Sequence, residues 1–112
     1  MFFNRSAGYK NITPCDLREK TAKNEDFLLL DVRTPMEHAQ QAIEGSHLLP
    51  VQELGFRAQE LPRNKEIVIY CRVGNRSAFA ASYLTRLGYN VTNLDGGIVA
   101  WNSAQNAACA RA

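Results

Sequence analysis

Short apolar runs alternate along this chain with segments of helical spacing. Residues 27–32 and 66–70 are almost continuously apolar, as are strands that are buried on both faces of a parallel sheet. Shorter runs predict three more strands at 9–12, 47–49 and 91–95, the first of them at a sheet edge. Strands that alternate with helices predict an α/β fold with a mainly parallel sheet.

Helices are predicted where capping residues and helical spacing coincide. Thr13 and Thr34 each precede a proline and stand three positions before an acidic residue, which is the pattern of a helix N-terminus. These two helices should end near Lys23 and Gln41. Helical spacing predicts three more helices, at 51–61, at 78–87 and from Ile98 onward. In the last of these, Trp101 should lie in the core. The inner face of the helix at 78–87 should consist of Ala78, Ala81, Leu84 and Leu87.

The stretch with the clearest chemistry is residues 66–77, EIVIYCRVGNRS. Cys71 directly follows a predicted strand, and the next residues lead into a helix, at the edge where open α/β sheets bind ligands. Gly74 and Asn75 can adopt backbone angles that turn successive N–H groups inward. Helix N-termini and nearby arginines stabilise a thiolate. We therefore expect this loop to ionise Cys71 at neutral pH and to hold a second anion above it.

A structural role for Cys71 is the alternative, because most cysteines pack as small hydrophobic residues. Arg72 and Arg76 flank the loop, and a purely apolar niche has no use for them. Their presence favours the nucleophile.

Asp31 interrupts the apolar run of the second predicted strand. A buried carboxylate must be hydrogen-bonded or paired, so we expect it to meet backbone N–H groups or an arginine of the neighbouring strand-end loop. A simple turn cap together with Thr34 and Pro35 is an equally good interpretation. His38 and His47 lack partners at metal-ligand spacing, and we expect both at the surface or its boundary.

Composition narrows the function classes. A hydrophobic fraction of 46%, a charged fraction of 21% and a net charge of +2 are ordinary for a globular protein, and they argue against nucleic acid or a membrane surface as a partner. We expect one monomeric domain with a core at about 11–103 and loose termini at 1–8 and 104–112. No cofactor and no metal are predicted.

The three cysteines, Cys15, Cys71 and Cys109, are widely separated and odd in number. We therefore expect no disulfide framework, with Cys15 in or near the core and Cys109 as an exposed thiol without a role. The N-terminus also lacks the order of a signal peptide. Together these features predict a reducing compartment, most simply the cytoplasm.

Four segments, in this order and spacing, resemble a single-domain rhodanese. They are DVRTPMEH at 31–38, IEGSHLLP at 43–50, IVIYCRVGNRS at 67–77 and LGYNVTNLDGGIVAW at 87–101. The resemblance spans roughly residues 11–103. It implies an α/β rhodanese fold with about five strands, mainly parallel, and helices on both faces of the sheet.

The resemblance also implies a sulfurtransferase in which Cys71 carries the sulfur. The sulfur would come from a small anionic donor such as thiosulfate or from a persulfide, and would pass to cyanide, glutathione or a protein thiol in ping-pong fashion. The family often has histidine where this chain has Ala42. Within the loop that the resemblance implies, Arg72 would orient the donor and Arg76 would stabilise the terminal sulfur. Asp31 and Arg33 would brace the site. The implied loop residues are Arg72, Val73, Gly74, Asn75, Arg76 and Ser77.

Two other functions are weighed against this one. Phosphatases and arsenate reductases also place a cysteine before an arginine in a loop that opens a helix. The phosphatases that resemble rhodaneses have five residues between the two, whereas Cys71 and Arg76 are separated by four. That shorter loop suits one sulfur atom rather than a phosphoryl group, and it lacks an aspartate for general-acid catalysis. The other function is a non-catalytic or partner-fed module that carries sulfur or binds protein. The non-catalytic modules usually lack the cysteine that this chain keeps, and the partner-fed sulfur carrier stays open as a separate possibility.

Overall fold

A six-stranded sheet forms the centre of the computed structural model, which describes residues 2–4, 8–106 and 109. The strand order is β1-β2-β6-β5-β3-β4, and every neighbouring pair is parallel except β1 and β2. The strands are β1 (Phe2–Asn4), β2 (Tyr9–Ile12), β3 (Phe27–Asp31), β4 (His47–Leu48), β5 (Glu66–Tyr70) and β6 (Val91–Leu94). The five predicted strands and their parallel arrangement are confirmed.

The N-terminal edge differs from the prediction. Residues 2–4 were expected in a loose terminus, but their backbone forms β1 and pairs antiparallel with β2. Consequently β2 is not an edge strand, because it lies between β1 and β6. A strand of three residues is too short to show a hydrophobic period, which is why the sequence pattern missed it.

Five helices connect or follow the strands. Thr13 and Thr34 cap the first two as predicted, and Glu37 completes a capping box with Thr34. Among the described residues, no helix combines the length and the apolar character that crossing a bilayer requires. The helices are α1 (Pro14–Ala22), α2 (Pro35–Gln40), α3 (Leu54–Arg57), α4 (Asn75–Arg86) and α5 (Gly97–Asn106).

Four helical predictions need correction. The helix predicted at 51–61 is only α3 between two 3₁₀ turns, consistent with the weak helix propensity of the glycine inside it. Leu87 is 41% exposed rather than on the inner face of α4, because it follows the last helical residue. Residues 104–106, expected in the loose C-terminal segment, belong to α5, which continues to Asn106. Trp101, predicted in the core, is only half-buried and packs against the edge of a buried cluster.

Alternate residues of the central strand serve opposite faces of the sheet. Ile67, Ile69 and Cys71 belong to the cluster that α4 covers, whereas Val68 and Tyr70 belong to the cluster that α1 and α5 cover. This follows from the period of two along a strand. The alternation decides which side of the sheet receives the thiol.

Cys15 and Cys109 form a disulfide, contrary to the prediction that neither is bonded. The two residues are 94 positions apart, but α1 and α5 pack together and bring the C-terminal segment back to α1. Such a pairing cannot be deduced from spacing in the sequence. The bond removes the argument for a reducing compartment, and a cytoplasmic location stays a prediction.

Candidate active site

Cys71 is the first residue after β5, and its thiol lies inside the turn that leads into α4. The residue is only 1% exposed. Two backbone N–H groups donate to Sγ, from Gly74 at 3.1 Å and from Ser77 at 3.3 Å. The Ser77 hydroxyl oxygen lies 3.3 Å from the same sulfur. The predicted cradle of inward N–H groups is therefore present around the sulfur.

Gly74 makes this turn possible. Its φ is +126°, a backbone conformation that side chains with a Cβ rarely adopt. Asn75, which was expected to share the turning role, is instead the exposed first residue of α4. The N–H groups that reach the sulfur thus come from the residue before α4 and from its first turn. This is the end of a helix that favours negative charge.

The N-terminus of α5 holds the other side of the loop. Ile98 N–H donates to the carbonyl of Cys71 at 2.9 Å, and Val99 N–H donates to the carbonyl of Arg72 at 3.1 Å. A Cβ on Gly97 would lie 2.4 Å from the Arg72 carbonyl oxygen, so only glycine permits this approach. The first turn of α5 therefore fixes the backbone segment that carries the thiol.

Arg76 is bonded to Glu37 on α2. Its Nη1 and Nη2 donate to Oε1 and Oε2 at 2.7 and 2.9 Å. These bonds are the main cause that lowers the pKa of Glu37 to about 2, and they raise the pKa of Arg76. Arg76 thus fixes α4 to α2. The role predicted for it at the terminal sulfur stays a prediction, because its guanidinium makes no described hydrogen bond to Sγ.

Arg72 and Val73 are the exposed part of the loop. Among the described residues, the Arg72 guanidinium has no hydrogen-bond or ion-pair partner. It lines a cavity of about 370 Å³ together with Arg33, Glu37 and Val99. This guanidinium is available for an anionic donor, as its predicted role requires.

Asp31 ends β3 beside Tyr70 of β5 and is fully buried. Its carboxylate accepts three bonds from Arg33, from the backbone N–H at 3.0 Å and from Nε and Nη2 at 2.9 and 2.7 Å. The Tyr70 hydroxyl and His38 Nδ1 also reach Oδ2, at 3.2 and 2.8 Å. Asp31 is therefore paired as expected. Its arginine is two residues along the same chain segment, not on the neighbouring loop.

Electrostatics in this network follow from burial and from these bonds. Burial raises the pKa of Asp31, but the hydrogen bonds from Arg33 and His38 outweigh it and the pKa falls below its ordinary value. Arg33 also donates to the Gln41 carbonyl at 2.6 Å. The network consequently ties the end of β3 to α2 and to the segment after it.

Sequence reasoning missed three members of the site: Glu37, His38 and Tyr70. Glu37 was interpreted only as part of a helix start, and His38 only as a surface or boundary residue without partners at metal-ligand spacing. One available signal was that α2 begins at the same sheet edge as the cysteine loop, so its first turn faces that loop. No group of three or more His, Cys, Asp or Glu side chains in the described ranges is arranged to hold a metal ion.

Comparisons with known proteins agree with this architecture. The chain is 46% identical over 86 residues to a sulfurtransferase of Allochromatium vinosum, covering 76% of this chain and 80% of that one. It is 33% identical to the thiosulfate sulfurtransferase GlpE of Pseudoalteromonas translucida, covering 86% and 91%. A rhodanese-related protein from Thermoplasma volcanium superposes with a TM-score of 0.79 at 36% identity, covering 85% and 92%. Residues 13–104 match the family described as the rhodanese-like domain, and the chain belongs to the rhodanese family.

Proposed function

We propose that the protein transfers sulfane sulfur from thiosulfate, or from a similar donor, to a thiophilic acceptor through a persulfide on Cys71. The observation that carries the proposal is the set of donors around Sγ, with the N–H groups of Gly74 and Ser77 aimed at one sulfur atom. Sulfurtransferases among the relatives support the coarser assignment to sulfur transfer.

In the first half-reaction the Cys71 thiolate attacks the outer sulfur of thiosulfate. A new S–S bond forms, the bond between the outer sulfur and the sulfonate sulfur breaks with its electron pair, and sulfite leaves. The product is the Cys71 persulfide anion. Arg72, whose guanidinium has no hydrogen-bond or ion-pair partner among the described residues, would hold the sulfonate before and during this step.

Donors that are already in place would stabilise the charge on sulfur. The N–H groups of Gly74 and Ser77 point inward before any ligand arrives, so little reorganisation is needed. The Ser77 hydroxyl is within reach of Sγ and of the Gly74 carbonyl, each at 3.3 Å. It can accept from the thiol or donate to the thiolate by rotation.

In the second half-reaction an acceptor attacks the outer sulfur of the persulfide. With cyanide, a C–S bond forms, the S–S bond breaks, thiocyanate leaves and the Cys71 thiolate returns. With a thiolate acceptor, the outer sulfur becomes part of a new persulfide. The two half-reactions share only the modified enzyme, so parallel double-reciprocal plots are expected. Intersecting plots, which indicate a ternary complex, would contradict this mechanism.

Intact mass provides the direct test. Reduced protein is incubated with thiosulfate, measured, and then treated with cyanide. We expect a gain of one sulfur atom that maps to Cys71 and disappears with cyanide. If Cys71 alkylates normally but gains no sulfur, the proposed donor reaction is wrong.

A sulfur carrier fed by a protein partner is the second candidate. Met36, Val73 and Val99 are 72%, 46% and 42% exposed, which is high for apolar side chains. Val73 is in the loop, Val99 is bonded to it, and Met36 precedes the carboxylate that binds Arg76. Apolar residues around a buried thiol favour a docked protein. This candidate predicts that a protein persulfide loads Cys71 faster than thiosulfate does.

A further inference from the structure

A cavity of about 640 Å³ lies between α1, α5 and the segment that joins α2 to β4. Arg18 lines it from α1, Trp101 from α5, and Ala42 and Glu44 from the connecting segment. Its size is typical of sites that hold small molecules. Nothing in the sulfur-transfer mechanism above uses these four residues.

Arg18 gives the cavity a cationic wall. Its guanidinium lies over the Trp101 ring, 4.0 Å from the ring centroid, and Nη2 donates to the Trp101 carbonyl at 3.2 Å. Its Nε is buried and has no hydrogen-bond partner among the described residues. Buried donors are rarely left unpaired, so this arginine has hydrogen-bonding capacity that the surrounding protein does not use.

The cavity adjoins the active-site rim. Gln41 and Asn102 line both this cavity and the one that contains Arg72. Their side-chain amides bond to each other at 3.1 and 3.4 Å, at the boundary between the two cavities. Asn102 is three residues beyond Val99 on α5, about 4.5 Å along the helix axis. The two cavities therefore meet at this amide pair, and a ligand that extends from Arg18 to the loop would pass over it.

The charged residues that line this cavity match a particular chemical group. Arg18 is a partner for a carboxylate, and exposed Glu44 lines the same cavity and is a partner for an ammonium. A carboxylate alone would meet repulsion from Glu44, whereas an α-amino acid head group carries both charges. Ala42 contributes only a methyl group to the cavity wall, at the position where the family often has histidine, and this leaves room for the ligand.

We propose that this cavity binds the amino-acid head group of a low-molecular-weight thiol, whose sulfur reaches Cys71 and accepts the transferred atom. The proposal rests on the proposed function for its chemistry, because the thiolate attacks the outer sulfur of the Cys71 persulfide. A new S–S bond forms on the acceptor, the enzyme S–S bond breaks, and the Cys71 thiolate leaves.

Binding can be tested without any sulfur transfer. S-Methylglutathione carries the head group but has no thiol, and Trp101 is the only tryptophan of the chain. Titration should therefore give a saturable change in tryptophan fluorescence. Arg18→Gln should raise the dissociation constant about tenfold, as expected for loss of a charge-assisted bond. Ala42→Leu, which narrows the cavity without touching its charges, should also weaken binding.

Arg63→Gln is the matched control. Arg63 stacks on Tyr89 at 4.2 Å and donates to the Leu87 carbonyl at 2.7 Å, so it repeats the arrangement of Arg18 away from the cavity. This variant should bind S-methylglutathione as the parent does. Equal affinity in the Arg18→Gln, Ala42→Leu and parent proteins, or no binding at millimolar ligand, would overturn the proposal.

Acceptor kinetics supply a second readout. With glutathione and cyanide as alternative acceptors, Arg18→Gln should lower the ratio of kcat/KM for glutathione to that for cyanide about tenfold. Arg63→Gln should leave this ratio unchanged. An unchanged ratio in Arg18→Gln would contradict the assignment of the cavity to the acceptor. If Cys71 gains no sulfur in the mass measurement but S-methylglutathione binds, the proposed function fails while the site stands.

Discussion

The ends of β5 and β3 are neighbours in the sheet, yet the polar side chains at the two ends have different hydrogen-bond partners. Among the described residues, the hydrogen-bond partners of the Cys71 sulfur at the end of β5 are two backbone N–H groups and one hydroxyl. Asp31 at the end of β3 is surrounded by an arginine, a histidine and a tyrosine hydroxyl. The sulfur can therefore still contact a reaction partner, whereas both oxygens of the carboxylate are already hydrogen-bonded.

The difference assigns separate tasks to the two strand ends. A nucleophile needs donors that do not block its line of attack, and backbone N–H groups behind it satisfy that need. A buried carboxylate needs full compensation of its charge, and in return it holds several segments in place. Alternation along the strands places Cys71 and Tyr70 on opposite faces, so the bracing network does not crowd the thiol.

The largest effect on sulfur-transfer activity should come from Cys71→Ser. A serine hydroxyl is not a thiolate and cannot form the persulfide, so sulfur transfer should fall to background. The fold should remain, because the replacement is nearly isosteric in a buried site. Mass after thiosulfate treatment and the urea midpoint test both statements. Turnover retained in this variant would remove Cys71 from the mechanism.

Asp31→Asn should have the largest effect on stability. The substitution keeps the shape but leaves the buried Arg33 guanidinium without its counter-charge, which costs about 3–5 kcal/mol. Urea unfolding at pH 7 measures the loss. Asp95→Asn is the control, because Asp95 is exposed and should change stability by less than about 0.5 kcal/mol. Equal effects of the two substitutions would show that the network does not brace the sheet edge.

The cysteine loop was predictable because its residues are contiguous. A strand, a cysteine, a glycine and a helix start within 12 residues already determine the direction of the N–H groups. The bonds from Arg76 to Glu37 and from Tyr70 to Asp31 each join residues 39 positions apart. They exist because β5 lies next to β3, and hydrophobic patterning does not specify which strands are neighbours. The Cys15–Cys109 bond depends in the same way on the packing of α1 against α5.

Gly74→Ala tests whether the cradle depends on its backbone conformation. A Cβ at Gly74 would contact nothing within 4 Å, so the substitution introduces no clash, only the strain of a positive φ. We expect a loss of about 1–2 kcal/mol in unfolding free energy and slower persulfide formation, since the Gly74 N–H moves away from Sγ. Gly55→Ala, in α3 with no positive φ and equally open space, is the control. Normal sulfur loading in Gly74→Ala would show that the Ser77 N–H suffices.

Glu37→Gln should have the smallest effect on the free energy of unfolding. The dependence of that effect on pH shows whether it comes from the charge of the carboxylate. The bonds from Arg76 lower the pKa of Glu37 from its ordinary value of 4.5 to about 2. A lowered pKa means that the contribution is complete above pH 4.5 and disappears as the pH falls towards 2. Since the two side chains are 26% and 36% exposed, solvent screening limits the contribution to about 1 kcal/mol.

The measurement is urea unfolding of the parent protein and Glu37→Gln at pH 7 and pH 3. Asp31 titrates in both proteins, so its contribution cancels in their difference. We expect that difference to be well below its pH 7 value at pH 3, where the Glu37 carboxyl of the unfolded chain is mostly protonated. A difference that stays constant with pH would show that the carboxylate acts through its helix-capping hydrogen bonds to Thr34 and not through its charge. In that case the ion pair between Arg76 and Glu37 would contribute little to stability, and the connection between α2 and α4 would depend on packing and on neutral hydrogen bonds.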